Sequence, residues 1–520
     1  MRRRRFLKCG AALGGMAAAG TLFRSTGARA SFGETPEAYR QIGLPPELRA
    51  ENILEVFLYG GLTTWETFYG VEEYGRPDDP NPDLRGTQLY TFHDPASPKD
   101  SVLAAALGAC GRAGDGARLV PFARDALGMN VHLGPLLAPL IARKDILDRM
   151  RIVVTRHDLE PHEAAIPYAL CGRTLGSPQM ACLGAHVQRH AMERGDPARS
   201  APYAYTFTDL GVPGDNLRAS VATGLHPATA RPLLLRASSD EFLSLLQRPK
   251  LGDPPQRAAF DRLLSRYVDQ VRDRVRYDRQ GEPLRAARLS ELSQTIRSVA
   301  SAHELDAVLD SALFEQTVSP LCGDTGETAV NAPAICLRII AHLLAHPTLP
   351  ARYCCFVDPG LVMADGGGGY DTHAETCLTQ TMNLGNTLTE LLSHVRSPDE
   401  QGPEFEGKID LDRTLIILNM EFGRSPGAQN ELGRNHWPYG YVTVYLGGPI
   451  REAQRGIYGA IGPDGRATTY VKPPEQRIAA LLALGIWPFA QEGFGVSDVE
   501  GTRNEGESAV AALARVLGHG

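Results

Sequence analysis

Long apolar runs are missing from most of this chain. Beyond the first 30 residues no apolar stretch of about 18 residues occurs, so no membrane span is expected there. Cys-x-x-Cys and paired Cys/His spacings are absent although nine cysteines are present, which excludes a zinc ribbon or finger. The Gly366–Gly369 run lacks a Gly-Lys-Ser/Thr ending, which excludes a nucleotide P-loop. A serine-hydrolase elbow is not expected. Positive charge is in deficit: Lys and Arg number 53 against 60 Asp and Glu, a net charge of -7. That balance argues against nucleic acid or an anionic membrane as the main partner. Internal repeats and long low-complexity segments are absent as well, and the chain is long enough for a large core or two domains.

What is present begins at the N-terminus. Arg3-Arg4-Arg5-Phe6-Leu7-Lys8 opens a twin-arginine export signal. A small-residue apolar stretch, Cys9 to Phe23, comes next, and Ala28-Arg29-Ala30 offers a small-x-small cleavage site. Residues 1–30 are therefore expected to be a signal peptide, with the mature chain starting near Ser31 in the periplasm or outside the cell. The twin-arginine machinery is the expected export partner. It carries folded proteins, so a metal can be acquired before export. Seven basic residues and no acid leave with the signal, so the net charge moves from -7 to -14. Eight cysteines remain. Some of them pair in an oxidising compartment, or they stay as buried thiols in a large core. Cys354 and Cys355 lie in a strand pattern, where alternation points them to opposite faces.

Short apolar runs alternate with helical patterns along residues 31–520. Strands are expected at Asn52–Tyr59, Arg151–Thr155, Tyr353–Asp358, Leu361–Ala364, Thr414–Asn419 and Tyr441–Leu446. Another short apolar run lies between Arg231 and Arg236. Helices are expected at Leu133–Leu147, Ala164–Leu170, Ala332–Leu344, Thr376–Val395 and Pro474–Leu484. The stretch from Tyr74 to Asp115 reads as loop. Residues 239–313 are highly charged and helical in pattern, a helical insertion that is either a lid or a docking surface. The alternation of strand and helix gives an α/β fold with a mostly parallel sheet.

In such sheets, ligands bind beyond the carboxyl ends of the strands. The segments just after the strands are therefore the place to look. Gly60-Gly61-Leu62-Thr63-Thr64-Trp65-Glu66 comes after the first strand, and His157 to Glu163 after the second. Gly369-Tyr370-Asp371-Thr372-His373 comes after the third, Glu421-Phe422-Gly423-Arg424-Ser425 after the fourth, and Gly433-Arg434-Asn435-His436-Trp437 lies just beyond. Carboxylates and imidazoles recur at strand ends far apart in sequence, the pattern of a site assembled from loops. Mixed oxygen and nitrogen donors suit zinc, manganese or iron. Glu421 ends an apolar strand, where an unpaired carboxylate costs several kcal/mol. It needs a cation, which is either a metal or Arg424. His436 is either a ligand or packs on Trp437.

Gly-Gly-Tyr-Asp-Thr-His (368–373), Glu-Phe-Gly-Arg-Ser (421–425) and Gly-Arg-Asn-His-Trp (433–437) resemble the signature blocks of a large exported bacterial family of unknown function. That family is placed in the alkaline phosphatase and sulfatase superfamily. The Gly-Gly turn after the first strand and the block from Val154 to Gly172 fit as well. The resemblance implies an alkaline-phosphatase-like α/β/α sandwich with one or two divalent metal ions: zinc, manganese or calcium. It makes Asp371, His373, Glu421 and His436 the expected metal ligands and Arg424 an anion clamp.

This chain also departs from the superfamily. Tyr59-Gly60 stand where hydrolases usually carry Asp, and Glu66 or Thr63 would have to substitute from a shifted loop. Counting back from Leu170-Cys171-Gly172-Arg173 to the nucleophile position reaches His162, as a nucleophile or an extra ligand. Formylglycine chemistry lacks its cysteine. Phe422 replaces a His that often comes after the late acid. His157 and Asn435 complete the candidates. The expected function is a metal-dependent hydrolase of phosphate or sulfate esters, acting on a small molecule or a glycan. The alternative is a non-catalytic binding or scaffold protein on a degenerate form of the fold.

Overall fold

Asn52-Ile-Leu-Glu-Val-Phe-Leu58 (β1) is buried at every position, which a strand can be only when both faces of its sheet are covered. The computed structural model describes residues 32–115, 117–177, 181–194, 205–208, 233–235, single positions between 255 and 270, 309, 311–323, 326–348, 350–365, 367–489 and 493–520. The expected signal peptide and most of the expected insertion at 239–313 lie outside the described residues. Described positions between 255 and 270 are helical.

The main-sheet strands are β1, β2 (Met150–Thr155), β3 (Tyr205–Thr208), β4 (Leu233–Leu235), β5 (Tyr353–Asp358), β6 (Thr414–Asn419), β7 (Tyr441–Gly447) and β8 (Gly456–Tyr458). Their order across the eight-stranded sheet is β8-β2-β7-β6-β1-β5-β3-β4. β7 alone runs antiparallel to its neighbours, β6 and β2; every other pairing is parallel. The mixed α/β fold with a mostly parallel sheet is thus as expected.

Alternation along β1 divides the core. Leu54, Val56 and Leu58 face α3 (Ala332–Ala345) and α4 (Cys377–His394). Ile53 and Phe57 face α1 (His162–Cys171), α2 (Leu183–Glu193), α5 (Pro473–Ala483) and α6 (Glu505–Ala512). Cys354 and Cys355 fall into opposite clusters, as their spacing requires. Glu55, in the middle of β1, is fully buried. It accepts bonds from Tyr353 Oη at 2.6 Å, Asn419 Nδ2 at 2.7 Å and Arg477 Nη1 at 2.6 Å, so one carboxylate ties β5, β6 and α5 to β1.

Three local expectations change. Leu361–Ala364 is not a strand. The Asn383 side chain accepts from Leu361 N at 2.9 Å and Val362 N at 3.1 Å and donates to Val362 O at 2.9 Å, so an amide satisfies backbone groups that a neighbouring strand would otherwise take. The helix expected over Leu133–Leu147 is broken into separate short turns, Pro135–Leu137, Ala138–Ile141 and Lys144–Leu147, as Pro135 and Pro139 dictate. The expected loop at Tyr74–Asp115 contains a helix, Val102–Ala109, started by Ser101, whose hydroxyl accepts from Ala104 N at 3.1 Å. Cys110 and Cys322 form a disulfide, while Cys171, Cys182, Cys336, Cys354, Cys355 and Cys377 are buried thiols.

His186, on α2, is buried with its ring 5.6 Å from Phe32 and 5.5 Å from Phe494. Burial first, then the Arg189 and Arg173 charges, push its pKa down to about 3. The folded state therefore prefers the neutral ring. The stability this confers is complete above the ordinary imidazole value and is lost as pH falls from about 6.5 toward 3, at up to about 1.4 kcal/mol per pH unit. His186→Phe is expected to flatten the fall of Tm with acid over that window. An unchanged slope in a calorimetric pH series would contradict it.

Candidate metal centre

The loops after β1, β2, β5 and β6 meet at one buried carboxylate. Asp371, only 2% exposed, lies beyond β5 and the glycine run. Its Oδ2 lies 3.0 Å from His162 Nε2. Its Oδ1 lies 3.1 Å from His436 Nε2, 3.1 Å from His373 Nε2 and within contact of Arg424 Nη2. His162 is the first residue of α1, delivered by the turn after β2, and its Nδ1 lies 2.9 Å from Glu421 Oε1. The structure thus brings His162, Asp371, His373, Glu421, His436 and Arg424 together from across more than half of the chain.

The protonation pattern is set by the outer partners. His436 Nδ1 lies 2.9 Å from the Glu160 backbone carbonyl, which only accepts, so Nδ1 carries the proton. His373 Nδ1 lies 2.8 Å from Gln429 Oε1. His373 Nε2 and His436 Nε2 lie 3.0 Å apart, with Asp371 Oδ1 beside them. Two imidazole nitrogens and a carboxylate oxygen converge there, a donor set that suits a divalent metal ion, with the Arg424 guanidinium against the same oxygen. Their separations of 3.0–3.1 Å are close to the about 3.3 Å expected between ligands of a tetrahedral ion held at about 2.0 Å. His162, Asp371 and His436 also present ligand atoms within 4.8 Å of one another. Glu421 is fully buried; its Oε1 accepts from Gly60 N at 2.8 Å, and its Oε2 has no hydrogen-bond partner. An orphaned carboxylate oxygen beside this cluster fits a divalent cation.

Burial pushes the Asp371 carboxyl up, but His162, His436 and the Arg424 charge outweigh it and hold it well below the usual carboxylate range. Burial pushes the His162 imidazole down, yet Asp371 and Glu421 prevail and raise it to about 9. Both nitrogens of His162 are thus engaged by carboxylates. His157 is buried, and burial lowers its pKa to about 4. Its Nδ1 accepts from Leu159 N at 3.1 Å, and its Nε2 lies 2.6 Å from the Glu421 carbonyl, so it supports the β6 turn from behind rather than facing the cluster.

The anion-clamp expectation for Arg424 is corrected. The guanidinium is fully buried, with Nε 3.1 Å from Gly61 O, Nη1 3.2 Å from Arg434 O, and Nη2 on Gly60 O and Asp371. An approaching anion cannot reach it. Thr63 and Glu66 are not brought to the cluster. Glu66 holds the buried Arg434 Nη2 and takes the Thr63 hydroxyl, while Thr63 N donates to Gln380 Oε1 at 2.8 Å. Asn435 is exposed, and its Oδ1 accepts from His436 N at 2.8 Å.

Sequence reasoning missed several supporting residues. Phe422, counted as a lost ligand, stacks on His436 at 4.3 Å and lies 4.9 Å from His162, fixing both rings. Gln429 holds His373 Nδ1, and the Glu160 carbonyl sets the His436 tautomer. A Gly-x-Ser-x-Gly string, also missed, occurs at Gly423–Gly427. It sits on a two-residue strand (Gly423–Arg424) paired with His436–Trp437 rather than on a strand-to-helix turn. Ser425 Oγ donates to Gly427 O at 2.7 Å and accepts from Asn435 N at 3.0 Å, with no histidine as base.

Two glycines are required by close approach. A Cβ on Gly60 would lie 2.2 Å from Asp371 N, and Gly60 has a φ of +113°. A Cβ on Gly433 would lie 1.7 Å from His373 O. The Gly433 loop is zipped to the His373 loop by Asn430 Nδ2 donating to His373 O at 2.7 Å and by Arg434 N donating to Thr372 O at 3.2 Å.

Residues 130–486 match the family described as "Protein of unknown function (DUF1501)", and the chain, matched over more than half its length, belongs to that family. No curated protein and no solved structure matches it.

Gly433→Ala is expected to displace His373 and weaken metal affinity at least tenfold, as loss of ligand support does elsewhere. Gly427→Ala, whose added methyl meets nothing within 4 Å, is the matched control. Equal metal retention by the two variants would contradict this. Glu66→Ala leaves the Arg434 charge buried and unpaired, and urea denaturation is expected to show a loss of about 3–5 kcal/mol.

Proposed function

We propose that this member of the DUF1501 family is an exported, metal-dependent hydrolase of phosphate or sulfate esters. The observation that carries the proposal is the convergence of Asp371 Oδ1, His373 Nε2 and His436 Nε2 at 3.0–3.1 Å, with the outer nitrogen of His436 on a backbone carbonyl. Those three residues would hold the ion, with Glu421 and His162 beside it. Zinc and manganese suit two imidazoles and a carboxylate better than calcium does. When bound, the ion supplies a Lewis acid for an ester oxygen and a lowered pKa for water.

The chain's own residues have defined tasks around it. Phe422 fixes the His436 and His162 rings, and Arg424 keeps Asp371 ionised and oriented. Both nitrogens of His162 are hydrogen-bonded to carboxylates, which favours a charge-holding and positioning role over that of a nucleophile. Water or a substrate group would then be the attacking species. The order of the signature blocks supports an alkaline-phosphatase-like arrangement. The twin-arginine string and the Cys110–Cys322 disulfide support work outside the cytoplasm.

Elemental mass spectrometry of the signal-cleaved protein tests this. Near-stoichiometric metal is expected in the wild type, falling below a tenth in both His373→Ala and His436→Ala. A screen of aryl phosphate and aryl sulfate esters is then expected to show turnover that chelation abolishes. A metal-free wild type, even after incubation with zinc and manganese, would leave only the binding-protein reading.

A further inference from the structure

Beside the metal centre stands an aromatic shelf with an exposed cation on it. Trp437 is the next residue after His436, and Tyr439 lies two residues further on, with ring centroids 5.1 Å apart. Tyr439 Oη donates to Glu160 Oε1 at 2.7 Å, while the Glu160 backbone carbonyl accepts from His436 Nδ1. The shelf and the candidate ligand are therefore joined through one residue. The Arg466 guanidinium lies over both rings, 5.3 Å from the Trp437 centroid and 4.4 Å from that of Tyr439.

The turn that presents Arg466 is held in place. Gly462 N donates to Arg466 O at 2.8 Å and Gly465 N to Gly462 O at 3.0 Å. Trp437 Nε1 donates to Gly465 O at 2.7 Å, and Gln88 Nε2 holds Gly462 O at 3.0 Å and Pro463 O at 2.8 Å. The nearby acids have other tasks: Glu160 takes the Tyr439 hydroxyl, and Asp464 Oδ1 takes Arg466 N at 3.0 Å. Among the described residues no carboxylate lies within ion-pair distance of the Arg466 guanidinium. Arg424 and Arg434, by contrast, are fully buried on Asp371 and Glu66.

A planar cation stacked on aromatic rings, preorganised and exposed, matches the fork geometry of carboxylate, sulfate or phosphate. The partly exposed edges of Trp437 and Tyr439 beside it suit the apolar face of a sugar. We infer that Arg466, on the Trp437–Tyr439 shelf, recognises an anionic group on a sugar unit neighbouring the one that carries the reacting ester. The substrate class is thus an ester of an acidic glycan. The inference rests on the metal-centre reading for the location of the reacting ester, but the charge preference is measurable by binding alone.

The probe is a disaccharide of a uronic acid and a 6-sulfated amino sugar, compared with its uronic acid methyl ester, which removes one charge at nearly constant size. Calorimetric titration is run on wild type, Arg466→Ala, Arg466→Lys and His436→Ala, with metal content measured for each. The wild type is expected to prefer the acid at least tenfold, with a preference that shrinks as salt is added. Arg466→Ala is expected to remove the preference at unchanged metal content and Arg466→Lys to restore part of it. His436→Ala is expected to lose metal while keeping the preference. Equal binding of acid and ester by the wild type, no binding of either, or a preference that survives Arg466→Ala would overturn the inference, whatever the metal result. Loss of metal-dependent turnover with the preference intact would sink the hydrolase reading instead.

Discussion

The arrangement of loops in this protein depends on one buried carboxylate. Asp371 gathers His162, His373, His436 and Arg424 from separate segments, and almost none of it reaches water. Desolvating a carboxylate is expensive unless positive groups surround it. Here they come from the turns after β2 and β6 and from its own loop. Arg424 contributes twice, since its guanidinium also ties the Gly60 and Gly61 carbonyls after β1 to the same point. The ends of four strands are thus fixed relative to one another by charge rather than by apolar packing alone.

Around that point the apolar scaffold does a different job. The sheet is covered on both faces, so its strands hold their register and deliver their carboxyl-end turns to one edge. Glycine then permits the turns to close. Gly60 lies against the Asp371 backbone and Gly433 against the His373 carbonyl, leaving no room for a side chain at either place. The buried Glu66–Arg434 pair holds the Gly433 loop against the β1 turn without reaching the cluster. Rigid backing of this kind keeps three lone-pair atoms converging on one point, which loops of ordinary mobility would not maintain.

Much of this is legible in the chain. The expected bounds of β5 and β6 match the structure to the residue, because each is a short apolar run bounded by polar turns. Asp371, His373, Glu421 and His436 could be listed together because acids and imidazoles recur at strand ends, and the structure brings them to one place. The failures have physical causes. Leu361–Ala364 has a strand's composition, but Asn383, some twenty residues away, takes its backbone groups. Arg424 has a clamp's chemistry, but its donors are consumed by carbonyls and a carboxylate that only the fold supplies. Glu66 stands close in sequence to the β1 turn, yet Arg434, from the far end of the chain, claims it.

The sequence by itself determined the α/β alternation, the main strands Tyr353–Asp358 and Thr414–Asn419, and a short inventory of candidate metal-ligating side chains. These are local properties of period, composition and residue type. Tertiary structure alone decided which nitrogen of His436 carries its proton, which arginines are spent on buried acids, and that Arg466 stays exposed on an aromatic shelf. Those outcomes depend on partners hundreds of residues apart, and a hydrogen bond is allotted only once both of its ends have a place.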